Sequence, residues 1–165
     1  VFETLLNELA NSPTQAWPVL IVRLGGAVVL CGLIGFERES QDRPAGLRTH
    51  MLVGLAASVY CMLMLELLDR AADYPDPVRV DPVRIIEAVT SGVAFLAAGM
   101  IIFASGKVRG LTTGASLWLS ASVGLACGLG LWAIASLTTL LSLLIMRVVR
   151  AVEARAGFKE KDGED

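Results

Sequence analysis

Three ionisable side chains stand inside long apolar stretches of this sequence: Arg23, Glu66 and Glu87. A charge in hydrocarbon is costly unless it is paired or reaches the interface, so each needs a physical reason. Arg23 and Glu66 are close enough to the ends of their stretches to reach headgroups with their long side chains. The alternative is one ion-paired cluster of all three. Glu87 shares a helical face with Ser91, Ala94 and Ala98, small residues expected to face other helices, which points to an internal polar or ion-contacting role.

A denser group lies where two apolar stretches meet a polar segment. Glu37, Arg38 and Glu39 end the first stretch, and Arg48, Thr49 and His50 open the second. Pro44 and Gly46 between them signal a turn. A short connection makes the two ends neighbours, so opposite charges are available to pair. Either this is a water-exposed salt-bridge network with a threonine cap, or it is a recognition site or ion gate built on Glu37 and Arg48. His50 has no second His or Cys at ligand spacing, which argues against a transition-metal site, whereas the carboxylates suit a weakly held hydrated Mg²⁺. The residues specify no metal. Thr112 and Thr113, within Gly110-Leu111-Thr112-Thr113-Gly114, read as a helix start, because the Gly-Lys-Ser/Thr ending of a phosphate loop is missing. No nucleophile, base and oxyanion donors occur at coherent spacing and no nucleotide fingerprint follows a strand, so neither an enzyme nor a cofactor is expected.

The elements that carry these residues follow from composition. The chain has 165 residues, 55% hydrophobic and 18% charged, against about 45–50% and about 25% for soluble domains. Its mean hydropathy is +0.64. A helix needs about 20 apolar residues to cross about 30 Å of hydrocarbon, and the spacing predicts an all-α, polytopic bundle of five membrane-spanning helices. The first runs from about Pro18 to Phe36, the second from Thr49 to Leu68, and the third from Pro82 to Ala104, with no strands anywhere. Asp81-Pro82 is a strong helix start, since Asp caps orphan N–H groups and Pro needs none. Leu111 to Val149 carries one charge, Arg147. At 1.5 Å per residue that run is about twice the hydrocarbon thickness as a single helix. The chain must therefore turn inside it, best at Gly128-Leu129-Gly130, which gives spans over 111–127 and 131–147. Ser116, Ser120, Gly124 and Gly128 recur every four residues and allow close approach of another backbone, within the chain or from a second copy.

Outside the spans, residues 1–16 read as an interfacial helix with Phe2, Leu5, Leu6 and Leu9 on one face, Ser12-Pro13 as a cap and first-turn proline, and Trp17 at headgroup depth. No cleavable signal peptide is visible. Cys31, Cys61 and Cys127 each sit in an apolar block and are expected to be packing residues. Lys and Arg set the orientation. Arg38, Arg43, Arg48, Lys107, Arg109, Arg147, Arg150, Arg155, Lys159 and Lys161 fall on one side, and Arg70, Arg79 and Arg84 on the other. The N-terminus is expected outside and the charged tail, 150–165, in the cytoplasm. The net charge of −2 offers no footprint for nucleic acid.

Taken together, Gly35-Phe36-Glu37-Arg38-Glu39, Ala45-Gly46-Leu47-Arg48-Thr49-His50, Asp81-Pro82-Val83-Arg84, Ser91 to Gly99, and Gly110-Leu111-Thr112-Thr113 followed by Ser116-Leu117-Trp118 resemble the MgtC/SapB family of bacterial inner-membrane proteins. The pattern differs at Ala97, where the family usually has Gly, and at Gly114, where it usually has Ala. The resemblance covers about residues 20–130, the transmembrane domain. The soluble C-terminal domain of many relatives is not expected here, and functions residing in it are not carried over. The resemblance implies a role in growth under magnesium limitation and in survival of pathogens inside host cells, with inhibition of the membrane ATP synthase described for some members. It also marks Glu37, Arg38, Glu39, Arg48, Thr49, His50, Asp81, Arg84, Thr112 and Thr113 as the polar residues of the family motifs.

The leading expectation is a lipid-embedded protein that binds a membrane partner such as ATP synthase, or its own copy as a homodimer. The competing expectation is a small channel or transporter for Mg²⁺, H⁺ or K⁺, with Arg23, Glu87 and the Glu37 group at opposite ends of one polar route.

Overall fold

The computed structural model describes residues 2–3, 6, 13–71, 81–104 and 107–155. Among the described residues, five helices make up the bundle: α1 (Trp17–Glu39), α2 (Leu47–Ala71), α3 (Val83–Gly99), α4 (Leu111–Gly128) and α5 (Trp132–Arg155). Three of them, α1, α2 and α5, are long and apolar enough to cross a membrane. Most of the expected interfacial helix over 1–16 and the tail beyond Arg155 lie outside the described residues. Pro13 to Ala16 are not helical, so Pro13 is not a first-turn proline; Ser12 lies outside the described residues. The start falls at Trp17, where Ala16 is extended and Pro18 occupies the first turn.

Local chemistry accounts for most helix ends. The Asp81 carboxylate accepts the Val83 N–H at 3.0 Å and so begins α3. Gly130, with φ of 74°, makes the reversal between α4 and α5. Gly110, with φ of 87°, sits where a Cβ would collide with the Met100 carbonyl. Any L side chain there would be strained both by conformation and by contact.

The third helix is shorter than the apolar run suggests, and strands are present. α3 stops at Gly99, and β1 (Ile102–Ala104) pairs antiparallel with β2 (Lys107–Arg109) in the register Ile102↔Arg109, Phe103↔Val108, Ala104↔Lys107. Glycine is a poor helix former, and the β-branched and aromatic residues that follow favour extended backbone. At the other extreme, α5 continues helical to Arg155, beyond the expected 147.

The centre of the bundle is α4, which touches all four other helices. Its four-residue repeat explains why. Ser116, Ser120, Gly124 and Gly128 are all buried. A Cβ on Gly124 would run into the Gly54 carbonyl of α2, and one on Gly128 would stand 2.8 Å from the Ser58 carbonyl oxygen. The repeat therefore joins helices within one chain. The cysteines take part in the same packing: all three are buried, and Cys31 lies against Gly54 while Cys61 lies against Gly128. Ala27, Cys31, Ile34, Val123, Ala126, Cys127 and Ala135 form the main apolar core.

Candidate functional site

The Glu37 end of the bundle collects most of the polar groups. Gly35 makes this possible, because its missing side chain lets α1 approach α2 until a Cβ would be 2.8 Å from the Leu47 Cα and 2.9 Å from the His50 Cβ. Glu39 turns back across the loop, and its carboxylate accepts the Leu47 N–H at 2.7 Å. This caps α2, a role the sequence left to Thr49.

Glu37 is only 8% exposed. Its Oε2 accepts from Arg147 Nε at 3.2 Å and Nη2 at 3.1 Å, and its Oε1 accepts from the Gln41 side chain at 3.0 Å. The expected pairing of Glu37 with Arg48 is therefore replaced by one with α5. Arg48 is exposed and points instead along a cleft between α2 and α3. The reason is geometric. α5 brings Arg147 alongside the last turn of α1, whereas Arg48 starts α2 on the side facing α3.

Arg38, 3% exposed, donates from Nη2 to the Thr112 carbonyl at 3.1 Å, tying α1 to the first turn of α4. His50 is fully buried. Its Nδ1 stands 2.8 Å from the Gly46 carbonyl oxygen, which can only accept, so that nitrogen carries a proton. Its Nε2 faces the Ser116 hydroxyl at 3.0 Å, and that hydroxyl also lies 2.9 Å from the Thr113 carbonyl. One hydroxyl proton thus has two acceptors in reach, which locks α2 to α4. Thr113 itself is buried. Among the described residues, no three His, Cys, Asp or Glu side chains converge as a metal site would require.

The remaining candidates are dispersed. Arg23, about 21 Å along α1 from Glu37, donates to the Gln15 side chain at 2.9 Å and to the Gly128 carbonyl at 3.0 Å. It completes the C-terminus of α4. Glu66 accepts from Thr14 at 2.7 Å and pairs with Arg70 at 2.8 Å. Asp81 and Arg84 stand 3.9 Å apart. Glu87 is exposed on α3, and so are Ser91, Ala94 and Ala98. No ion pair joins Arg23, Glu66 and Glu87, and the small-residue face of α3 is exposed, with Ala94 and Ala98 lining an open groove against Gly114, Ala115 and Trp118 of α4. Its other face, with Ile85, Val89, Val93 and Ala97, packs inward.

Two residues of this site, Gln41 and Arg147, were not singled out from the sequence. Gln41 carries no signal beyond polarity. Arg147 does: it is the one charge in a 39-residue run, and a charge within a span needs a partner.

The model of the MgtC family matches residues 24–155. The chain is 34% identical over 135 residues to "Putative magnesium transporter YhiD" of Escherichia coli (strain K12), covering 82% of this chain and 62% of that protein. It is 38% identical over 127 residues to protein MgtC of Brucella abortus (strain 2308), covering 77% and 50%, and 38% identical over 135 residues to protein MgtC of Salmonella typhimurium (strain 14028s), covering 82% and 54%. The chain thus spans between half and two thirds of the length of these relatives. No solved structure matches it. The matched region contains every helix of the bundle but the first turns of α1, and with it the Glu37 ion pair, the Arg38 tie and the His50–Ser116 contact; this chain is a member of the MgtC family of membrane proteins.

Proposed function

We propose that this chain is a multi-pass protein of the bacterial inner membrane that serves magnesium and energy homeostasis by docking the Glu37 end of its bundle to a membrane partner, with ATP synthase as the first candidate. Five crossings, with the N-terminus outside and the Glu37 end in the cytoplasm, agree with the distribution of Lys and Arg. One observation carries the docking reading over conduction: the charges gather at the Glu37 end and do not continue through the bundle. Between them and Arg23 lie Ala27, Cys31, Ile34, Val123 and Cys127, apolar and 0% exposed, with glycine contacts closing α1, α2 and α4 on one another. A close-packed core between the two ends favours binding. The transport reading draws its support from the name of the Escherichia coli relative.

The outward face of α3, with Glu87, Ser91, Ala94 and Ala98, is the surface we assign to a second copy in a homodimer. A disulfide-linked dimer from Ala94→Cys in native membranes supports this, and its absence counts against it.

The docking reading is tested by charge reversal. In a strain lacking its own copy, Glu37→Arg fails to support growth in low magnesium, and the swapped pair Glu37→Arg with Arg147→Glu restores part of it. Liposomes holding only this protein pass no Mg²⁺. Growth of the single variant at the wild-type rate, or sustained Mg²⁺ flux, overturns the reading.

A further inference from the structure

A second site lies beside the ion-paired end. The cleft between α2 and α3 encloses about 650 Å³ and is walled by apolar side chains, with Arg48 and Thr49 at its mouth and Tyr60 and Ile85 at its far end. Small residues create the room. Ala56, Ala88 and Gly92 line it, and a Cβ on Gly92 would meet nothing within 4 Å. α3 rests chiefly on α4 and only lightly on α2, so the trough stays open along its length.

Two features specify an occupant. From Thr49 to Tyr60, α2 rises about 16 Å, which is the depth of one leaflet, about half of the 30 Å hydrocarbon core. Arg48 is exposed and makes no hydrogen bond or ion pair among the described residues, so its guanidinium is available at the mouth of the cleft. The trough is therefore apolar for the length of a fatty acyl chain and cationic where a headgroup would lie. A helix about 10–12 Å across is too wide for a gap between two helices that still touch. We propose that this cleft holds one acyl chain of an anionic phospholipid from the leaflet on the Arg48 side, with the lipid phosphate against the Arg48 guanidinium and the Thr49 hydroxyl. Basic pockets between transmembrane helices recognise anionic headgroups by this combination of charge and hydrogen bonding.

The test uses the full chain in mild detergent, titrated with dioleoyl phosphatidylglycerol or dioleoyl phosphatidylcholine and read by native mass spectrometry. The wild type retains the anionic lipid about fivefold more tightly, the ratio expected for one cation near the headgroup. Arg48→Gln removes the preference. Gly92→Leu abolishes retention of both lipids, because the new side chain fills the cleft without meeting protein. Arg84→Gln, toward the opposite end of α3, leaves retention unchanged. Arg48 is exposed, so the Arg48→Gln arm decides the matter even if Gly92→Leu folds poorly. Equal retention of the two lipids by the wild type, or an Arg48→Gln variant that keeps the preference, overturns the proposal. So does efficient disulfide dimerisation of Ala56→Cys in native membranes, which would put a second copy in the cleft.

Discussion

α3 and α4 both carry small residues at helical spacing, and they use them in opposite ways. On α4 the run Ser116, Ser120, Gly124 and Gly128 is buried against α1 and α2. On α3 the run Ser91, Ala94 and Ala98, together with Glu87, is exposed. A small-residue stripe means that something can come close. Which neighbour does so depends on the other face. α4 touches all four other helices and serves as the axis of the bundle, while α3 rests chiefly on α4 and leaves its small residues exposed.

Paired substitutions at matched positions break or sharpen that contrast. The largest effect is expected at the glycines. Gly124→Leu forces a side chain into the Gly54 backbone and costs about 3 kcal/mol or more, enough to scatter the protein on size exclusion, whereas Gly92→Leu leaves a monodisperse species. Equal damage from the two would end the comparison. Next come the large apolar residues. Leu117 is 0% exposed and Phe95 is 85% exposed. Leu117→Ala lowers stability by about 3 kcal/mol in thermal or denaturant unfolding, and Phe95→Ala stays within about 0.5 kcal/mol of the wild type.

The serines follow. Ser116→Ala deprives the buried His50 ring of its partner at Nε2 and costs about 2 kcal/mol, while the exposed Ser91→Ala is silent in the same assay. The smallest effect is at the turn that ends α4. Gly130→Ala, at φ of 74° and with its new Cβ 3.1 Å from the Arg23 guanidinium, costs about 1 kcal/mol. A silent Gly130→Ala would mean that the α4–α5 reversal relaxes to another turn.

Much of the bundle was legible before the structure. The apolar lengths, the Asp81 start of α3 and the Gly128–Gly130 reversal are local facts. They rest on how far a helix must run and on what a carboxylate or a glycine does to the next few residues. The meeting of the α1 and α2 ends was legible for the same reason, since seven residues cannot keep them apart. The hairpin after Gly99 was missed because an apolar run reads equally as helix or strand when it is short. The partner of Glu37 was missed for a different reason. Arg147 lies 110 residues away, and Arg48, much nearer in sequence, offered the same charge.

Residue order alone determined that this chain forms apolar helices, roughly where each begins and ends, and that charge collects at one end of the first two. Those outcomes depend on backbone propensity and on the cost of charge in hydrocarbon, both of which act within a few residues. Only the tertiary structure decided that α5 supplies the counter-charge, that α4 is the axis, and that α3 turns Glu87 outward and leaves Arg48 at the mouth of an apolar cleft. Each was a choice between surfaces with the same local pattern, and the contact that resolves it comes from a helix far away in the chain.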